Sequence, residues 1–295
     1  MDAAKKDLPE TTSGALRYID KAAIQRAMSA VSTCQAISIG LPIVHGKGPV
    51  APMRQPPQHY MRRDGGDYSS GHHIEKEGFG HSDDVIILGT HGTTHVDALC
   101  HVFCDGKMFG DLPATDVGST GANKLGAETI PPIVTRAVVI DAVPADKPWL
   151  DPSEPIFASQ LQALIDDAGI TPEPGDALIV RTGSVEAYRA GHDTGWSWPG
   201  LAKDCVEWVR QHKFSIIGAD NVAVEVGPSG IPGEALPLPS SSFGGSGGGV
   251  EAPSPSLGFS SGGAGGVSGG ASLLIPPSIK LMTKPNDNVV QGSTE

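Results

Sequence analysis

Short apolar runs alternate with stretches of helical periodicity through the middle of the chain. Apolar runs of roughly four to eight residues are typical of buried strands, and apolar residues spaced three and four apart are typical of helices. Strands that alternate with helices predict an α/β fold. The predicted strands lie at 36–39, 84–88, 133–143, 176–180 and 215–218, and the predicted helices lie at 18–31, 155–170 and 201–212.

The helix predicted at 155–170 and the strand predicted at 84–88 have specific expected burial patterns. The helix at 155–170 places Leu161, Leu164 and Ile165 on one face, and Gly169 gives it a natural end. The run at 84–88 is apolar after its first residue, so we predict that it forms a buried strand.

Two other stretches lack any regular pattern. Residues 44–80 are rich in Gly, Pro, His and Arg, which predicts a long loop of a kind that is uncommon in a compact domain unless it is functional. Residues from 239 to about 270 are mostly Ser and Gly and cannot bury enough apolar surface to offset their ordering entropy. The predicted organisation is a flexible N-terminus at 1–15, one domain at 16–237, a disordered Gly/Ser-rich segment at 238–270, and a final strand and tail at 271–295.

The densest group of side chains that can bind a metal ion or transfer protons follows the strand predicted at 84–88. The segment HGTTHVDALCH contains His91, His95, Asp97 and His101 within eleven residues. Glycine and threonine residues around His91 interrupt the regular pattern and predict a tight turn. A strand would thus deliver a polar turn into the protein interior.

The spacing within this segment favours a metal site. Imidazole and carboxylate groups suit a divalent ion such as Zn or Mn, with ligand bonds of roughly 2.0–2.2 Å. Residues four apart lie about 13 Å apart in an extended strand but about 6 Å apart on a helical or turned backbone. His91 and His95 can therefore bind one ion if the chain turns after Gly89, and Asp97 can complete a three-ligand site. His101 is then placed to act as the catalytic base or acid.

Two alternatives qualify this interpretation. A single histidine is usually packed or solvated, so chance clustering is the competing account of the whole group. Cys100 and Cys104 form a lone C-x3-C pair with no second pair of cysteines, which is a weak signal for a zinc knuckle. We predict instead that both cysteines are core residues.

Charge, apolar content and cysteine content indicate which kinds of partner and which cellular compartment to expect. The net charge of -12 disfavours binding to nucleic acid or to an anionic membrane. The sequence has neither a long apolar run that would predict a transmembrane helix nor the apolar stretch of a signal peptide. Four cysteines without a framework spacing indicate a reducing compartment. We expect a cytoplasmic protein that binds a small-molecule substrate, and neither nucleic acid nor membrane.

The segment HGTTHVDALCH resembles the H-x-G-T-H-x-D-x-P-x-H signature of the cyclase-like metal-dependent hydrolases, the family that includes bacterial kynurenine formamidase and isatin hydrolase. It keeps three His and the Asp of that signature, and it departs from it at Gly-Thr-Thr and at Leu99, which replaces the usual Pro. The flanking sequences HSDD and HVFCDGKMFGD, RTG at 181–183 and GADNVAVE at 218–225 also look similar to the family. The resemblance covers roughly residues 35–237.

The resemblance implies a single swivelling β/β/α-type domain with a long active-site loop, followed here by an irregular Gly/Ser-rich C-terminal segment. It implies a hydrolase that cleaves a C–N bond in an amide or small cyclic amide by metal-activated water, in the manner of an arylformamide amidohydrolase. His91, His95 and Asp97 would bind the Zn or Mn ion, and His101 would be catalytic. A homodimer or homotetramer is expected.

Residues for substrate binding come from two places. The resemblance implies an aromatic residue that roofs the site, for which Phe79 is the candidate; the alternative is that Phe79 is an aromatic residue of a surface loop. Thr182 and Ser184 follow the strand predicted at 176–180, where α/β folds usually place ligand contacts. Arg181 could bind a carboxylate of the substrate or form a structural ion pair, and the sequence leaves both open.

Two other functions compete with hydrolysis. A lyase or cyclase could use the same ion to stabilise an enolate. A catalytically impaired binding protein is the other alternative, because no His follows His212 where family members typically carry a further metal-associated His. The sequence therefore does not predict a second metal site.

Overall fold

The computed structural model describes residues 13–49, 51, 54–73, 77–192, 195–229 and 258–261. Nearly all of the predicted flexible N-terminus, most of the Gly/Ser-rich segment and all of the predicted tail at 271–295 lie outside these residues. Within the described ranges, no helix is both long enough and apolar enough to cross a membrane. The helices are α1 (Lys21–Ser29), α2 (Gly65–Ser69), α3 (Ala158–Asp167), α4 (Ser184–Arg189) and α5 (Cys205–His212). The strands are β1 (Gln58–Arg63), β2 (Asp83–Ile87), β3 (Thr94–Val96), β4 (Val117–Gly118), β5 (Gly121–Ala122), β6 (Ala137–Asp141), β7 (Pro155–Ile156), β8 (Ala177–Arg181), β9 (Gly200–Leu201), β10 (Ile216–Ala219) and β11 (Gly258–Ser261).

A five-stranded sheet in the order β3-β11-β10-β8-β6 forms the centre of the fold. β11, β10, β8 and β6 run parallel, and β3 pairs antiparallel with β11 at one edge. Every residue of β10 is buried, as are all of β8 except Arg181, because parallel strands are normally covered on both faces. The predicted α/β class is confirmed.

Two apolar layers cover the two faces of this sheet. Alternate residues of β6, β8 and β10 pack with buried side chains of α3 and α5, including Leu161 and Val209. On the other face, Ala177 and Ile216 pack with Leu16 and with partly buried side chains that include Val96 of β3. This second layer fixes which way the edge strand β3 faces, and β3 carries part of the candidate site.

Helix α3 follows its sequence prediction closely, with one exception. Leu161 and Ile165, one turn apart, are buried. Gly169 ends the helix in a left-handed conformation, with φ of 64°, and the N–H of Ile170 donates to the carbonyl of Ile165. Leu164, three residues after Leu161, lies on the same side of the helix, but its side chain is exposed.

The prediction of a buried strand at 84–88 is correct for the strand and wrong for its burial. All five residues of β2 are exposed. β2 pairs antiparallel with β1 in a separate two-stranded sheet, so the ribbon does not share the two covered faces of the central sheet. The β-branched residues of this run therefore favoured an extended backbone, but they did not determine whether another layer of the protein would cover the strand.

Two further expectations differ from the structure. The strand predicted at 36–39 is absent, since these residues have no strand partner among the described residues. The predicted loop at 44–80 contains β1 and the short helix α2, whose start is capped by Asp64 and Asp67. The partner of β1 lies about twenty residues further along the chain, so its pairing leaves no local pattern in the sequence.

Candidate metal centre

A turn followed by an edge strand brings the polar segment together. The N–H of Gly92 donates to the carbonyl of Gly89 at 3.0 Å, which reverses the chain at His91. β3 begins at Thr94 and includes His95. Because side chains alternate along a strand and Val96 packs into the apolar layer below, His95 and the following Asp97 lie on the opposite face. The predicted turn is present.

Three candidate ligand atoms form a small triangle. His91 Nδ1 lies 2.7 Å from Asp97 Oδ1, and His95 Nε2 lies 2.8 Å from the same oxygen. The two nitrogens are 3.0 Å apart. Ligand bonds of roughly 2.0–2.2 Å around a zinc ion place neighbouring ligand atoms about 3 Å apart. The spacing of the triangle therefore fits a divalent ion bound to all three residues.

The buried carboxylate oxygen supports the same conclusion. Asp97 Oδ1 is buried and has no hydrogen-bond partner of suitable geometry among the described residues, in spite of its two close imidazole neighbours. A proton shared between His91 and His95 would satisfy their two nitrogens and leave this oxygen unpaired. A buried polar atom without a partner is costly, whereas a cation would satisfy all three atoms together.

The orientation of His95 is set by the backbone of its own strand. His95 Nδ1 lies 3.0 Å from the carbonyl oxygen of the buried Thr93. A carbonyl can only accept, so Nδ1 carries the proton and Nε2 presents its lone pair to the triangle. This arrangement is typical of metal-binding histidines, whose second ring nitrogen usually donates to a carbonyl or carboxylate.

His101 completes a four-residue cluster. Its ring stacks on that of His91, with centroids 3.7 Å apart and planes 20° apart. Ligand atoms of His91, Asp97 and His101 also lie within 4.8 Å of one another, so two overlapping sets of three residues share His91 and Asp97. The shorter contacts favour His95 as the third ligand.

The charges in the cluster are strongly coupled. Burial alone would raise the pKa of Asp97, but its contacts with His91 and His95 outweigh this effect, and the pKa lies below its ordinary value. The carboxylate is therefore ionised. Burial lowers the pKa of His101, and the charge of Asp97 only partly opposes this change. His101 is thus neutral, and able to accept a proton, at neutral pH.

Arg54, which was not predicted from the sequence, lies against the same turn. Its Nη1 donates to the carbonyl oxygen of His91 at 2.6 Å. Burial lowers the pKa of Arg54, and the charge of Asp97 acts in the opposite direction. Arg54 is separated from His91 by 37 residues, and no spacing in the sequence connects the two.

The residues predicted to bind substrate occupy different positions. Thr182 is buried, and its N–H and hydroxyl donate to Asp220 at 2.6 and 2.7 Å. The hydroxyl of Ser184 lies 2.7 Å from that of Thr182. Phe79 is 70% exposed and contacts the ring of His81. No described contact joins any of the three to the histidine cluster, and their role in binding stays a prediction.

Asp220 explains why the turn after β8 is well fixed. It also accepts the N–H of Gly183 at 2.8 Å, and burial raises its pKa in spite of the bonds from Thr182. Gly183 has φ of 80°, and a Cβ there would lie 2.6 Å from Trp149 Cα, so glycine is required. The described contacts of Thr182 therefore stabilise the turn after β8.

Arg181 and the two cysteines make contacts that bear on the alternatives left open by the sequence. Arg181 Nη1 contacts both carboxylate oxygens of Asp141, at 2.9 and 3.0 Å, which is a structural ion pair. Cys100 and Cys104 are partly buried free thiols, and Cys100 packs beside the small cluster of Met108, Phe109 and Leu125. The expectation that both are core residues is thus only partly met.

Comparisons with known proteins agree with this fold. Residues 35–226 match the family model described as "Putative cyclase". The crystal structure of a novel cyclase superposes with a TM-score of 0.71 at 26% identity, over 85% of this chain and 83% of that chain. No curated protein matches the chain at a significant level.

Two isatin hydrolases share the fold at lower identity. Isatin hydrolase A from Ralstonia solanacearum gives a TM-score of 0.52 at 17% identity, over 78% of this chain and 86% of that one. An isatin hydrolase bound to the product analogue thioisatinate gives 0.51 at 16% identity, over 77% and 79%. Since the family model spans more than half of the sequence, the chain belongs to the cyclase family.

Proposed function

We propose that this chain is a metal-dependent hydrolase that cleaves a C–N bond in an amide or small cyclic amide. The triangle of His91 Nδ1, His95 Nε2 and Asp97 Oδ1, with edges of 2.7, 2.8 and 3.0 Å, is the observation that carries the proposal. Membership of the cyclase family and the fold shared with isatin hydrolases support a hydrolytic reaction.

The three residues would hold a Zn or Mn ion. A bound ion would supply a Lewis acid that activates water and polarises the scissile carbonyl. Thr93 keeps His95 in the tautomer whose Nε2 lone pair faces the triangle. Arg54 donates to the peptide carbonyl of His91 and stabilises the turn there. Backbone contacts thus position both histidines of the triangle.

His101 is the proposed general base and acid. Its neutral ring accepts a proton from the attacking water and then gives that proton to the leaving nitrogen, which departs as an amine. Stacking against His91 keeps the ring of His101 beside the donor triangle. Asp97 stabilises the protonated ring electrostatically, since its charge raises the pKa of His101.

Isotope labelling tests the reaction class. Protein reloaded with Zn or with Mn is incubated in oxygen-18 water with a panel of formanilides and cyclic amides, and products are analysed by mass spectrometry. Hydrolysis is expected to place one label in each new carboxylate. Turnover without label would indicate a lyase or cyclase, and metal binding without turnover on any member would indicate a binding protein.

We also propose that the chain acts as a homodimer or homotetramer through the β1–β2 ribbon. Val85 and Ile87 are exposed on one face of β2, and the exposed Tyr60 of β1 pairs with Val85 on the same face. An isolated two-stranded ribbon is only marginally stable, and contiguous exposed apolar side chains often mark an interface. A second copy would cover both strands.

Light scattering coupled to size exclusion tests this assembly. We expect wild-type protein to elute as a dimer or tetramer and Ile87→Glu to shift it to the monomer mass. Ile37→Glu serves as the matched control, because Ile37 is also exposed but lies outside the ribbon. A wild-type monomer at all concentrations, or an equal shift in both variants, would contradict the proposal.

A further inference from the structure

Arg54 differs in its contacts from three other partly buried arginines of the described residues. Arg26 and Arg136 both contact the buried Asp176, and Arg181 contacts Asp141. Arg54 has no carboxylate within ion-pair distance among the described residues, and the bond of its guanidinium to the His91 carbonyl uses one N–H group. A guanidinium has five N–H donors, so four have no partner within the described part of the chain.

The position of this guanidinium is as informative as its open donors. Its bond to the His91 carbonyl places it against the turn that carries the first member of the donor triangle. Arg54 is thus a fixed positive charge at the edge of the reaction site.

A partly buried cation without a counter-ion is unfavourable unless another group satisfies it. The fork of a guanidinium matches a carboxylate, which accepts two parallel N–H bonds. Hydrolysis of an amide converts a neutral carbonyl into such a carboxylate at the reaction site. The proposed reaction would therefore produce a carboxylate, which is the group that the guanidinium of Arg54 can bind.

We propose that Arg54 is a carboxylate-binding residue of this site, which favours substrates whose hydrolysis leaves an organic carboxylate beside the donor triangle. The inference rests on the proposed function only in treating the cluster as the place of reaction. The bond to His91 remains a second, structural role of the same side chain. The two roles can be separated, because one needs a single N–H donor and the other needs the charged fork.

The test measures binding of benzoate and of its neutral counterpart benzamide to metal-loaded protein by calorimetry. Arg54→Gln keeps an N–H donor for the His91 carbonyl and removes the charge. We expect Arg54→Gln to bind benzoate at least 10-fold more weakly than wild type, with benzamide binding, metal content and melting temperature unchanged. Arg189→Gln is the control, since Arg189 is exposed at the end of α4, and its benzoate affinity should equal that of wild type.

Equal benzoate affinity in wild type and Arg54→Gln would overturn the inference and would indicate that the carboxylate binds elsewhere. Loss of metal or of thermal stability in Arg54→Gln would also overturn it, because the charge would then serve the His91 turn alone. Neither result depends on turnover. Oxygen-18 incorporation can therefore succeed while this inference fails, or fail while benzoate binding stands.

Discussion

Alanine at His91 or at His95 is expected to remove most of the bound metal and nearly all turnover. Each histidine supplies one of the three atoms whose mutual distances are 3.0 Å or less, so either change leaves at most two strong donors. Loss of an outer partner of a metal ligand typically costs about 10–100-fold in affinity. We expect the loss of a ligand itself to exceed that range. Metal content after dialysis, measured by elemental analysis, provides the check.

His72→Ala is the matched control, because His72 is exposed and lies outside the cluster. It should keep its metal, its activity and its melting temperature. Full metal occupancy in both His91→Ala and His95→Ala would rule out the ligand assignment. Loss in His91→Ala alone would instead favour the overlapping set that His91 and Asp97 form with His101.

The sequence could predict the candidate ligands because their arrangement is local. His95 and Asp97 are two residues apart, and an extended backbone places such residues on one face. His91 is brought to them by a turn that glycine and threonine residues around it indicated. Neither step needs contacts from distant parts of the chain. The positions agree with the predicted site, and the role of each residue stays a prediction.

Arg54 could not be found in the same way. It reaches the turn from a segment rich in Gly, Pro and Arg that has no periodicity, and one hydrogen bond of tertiary origin connects it to His91. The sequence placed Thr182 at the end of a strand but gave no sign that Asp220, 38 residues later, accepts its hydroxyl and its N–H. Long-range pairs of polar side chains leave no pattern along the chain.

The fold shows the same division between local and distant information. β8 and β10 were predicted because strands covered on both faces are apolar throughout. β2 has a similar composition and is exposed, since the number of layers around a strand is not encoded in its own residues. β11 falls in the segment predicted to be disordered from its Ser and Gly content, and the rest of that segment lies outside the described residues.

Asparagine at Asp97 and asparagine at His101 are expected to have different effects, because one residue is proposed to bind the ion and the other to move a proton. Asp97→Asn removes a negative charge from the donor triangle while nearly preserving its shape, so it should lose metal on dialysis and lose turnover with it. His101→Asn should keep most of its metal and lose roughly 10²–10⁴-fold in turnover, the usual range for general acid–base catalysis. Metal analysis and kcat on the same preparations give both readouts.

The dependence of activity on pH provides a second test of whether His101 is the base. A base must be neutral, and burial lowers the pKa of His101 from its ordinary value of 6.5, so wild-type activity should rise with pH through a value below 6.5 and be level at neutral pH. His101→Asn should lose that limb while its residual activity persists. An unchanged limb would assign the base to another group. If His101→Asn loses its metal while Asp97→Asn stays fully loaded, the two roles are reversed, and His101 binds the ion instead of Asp97.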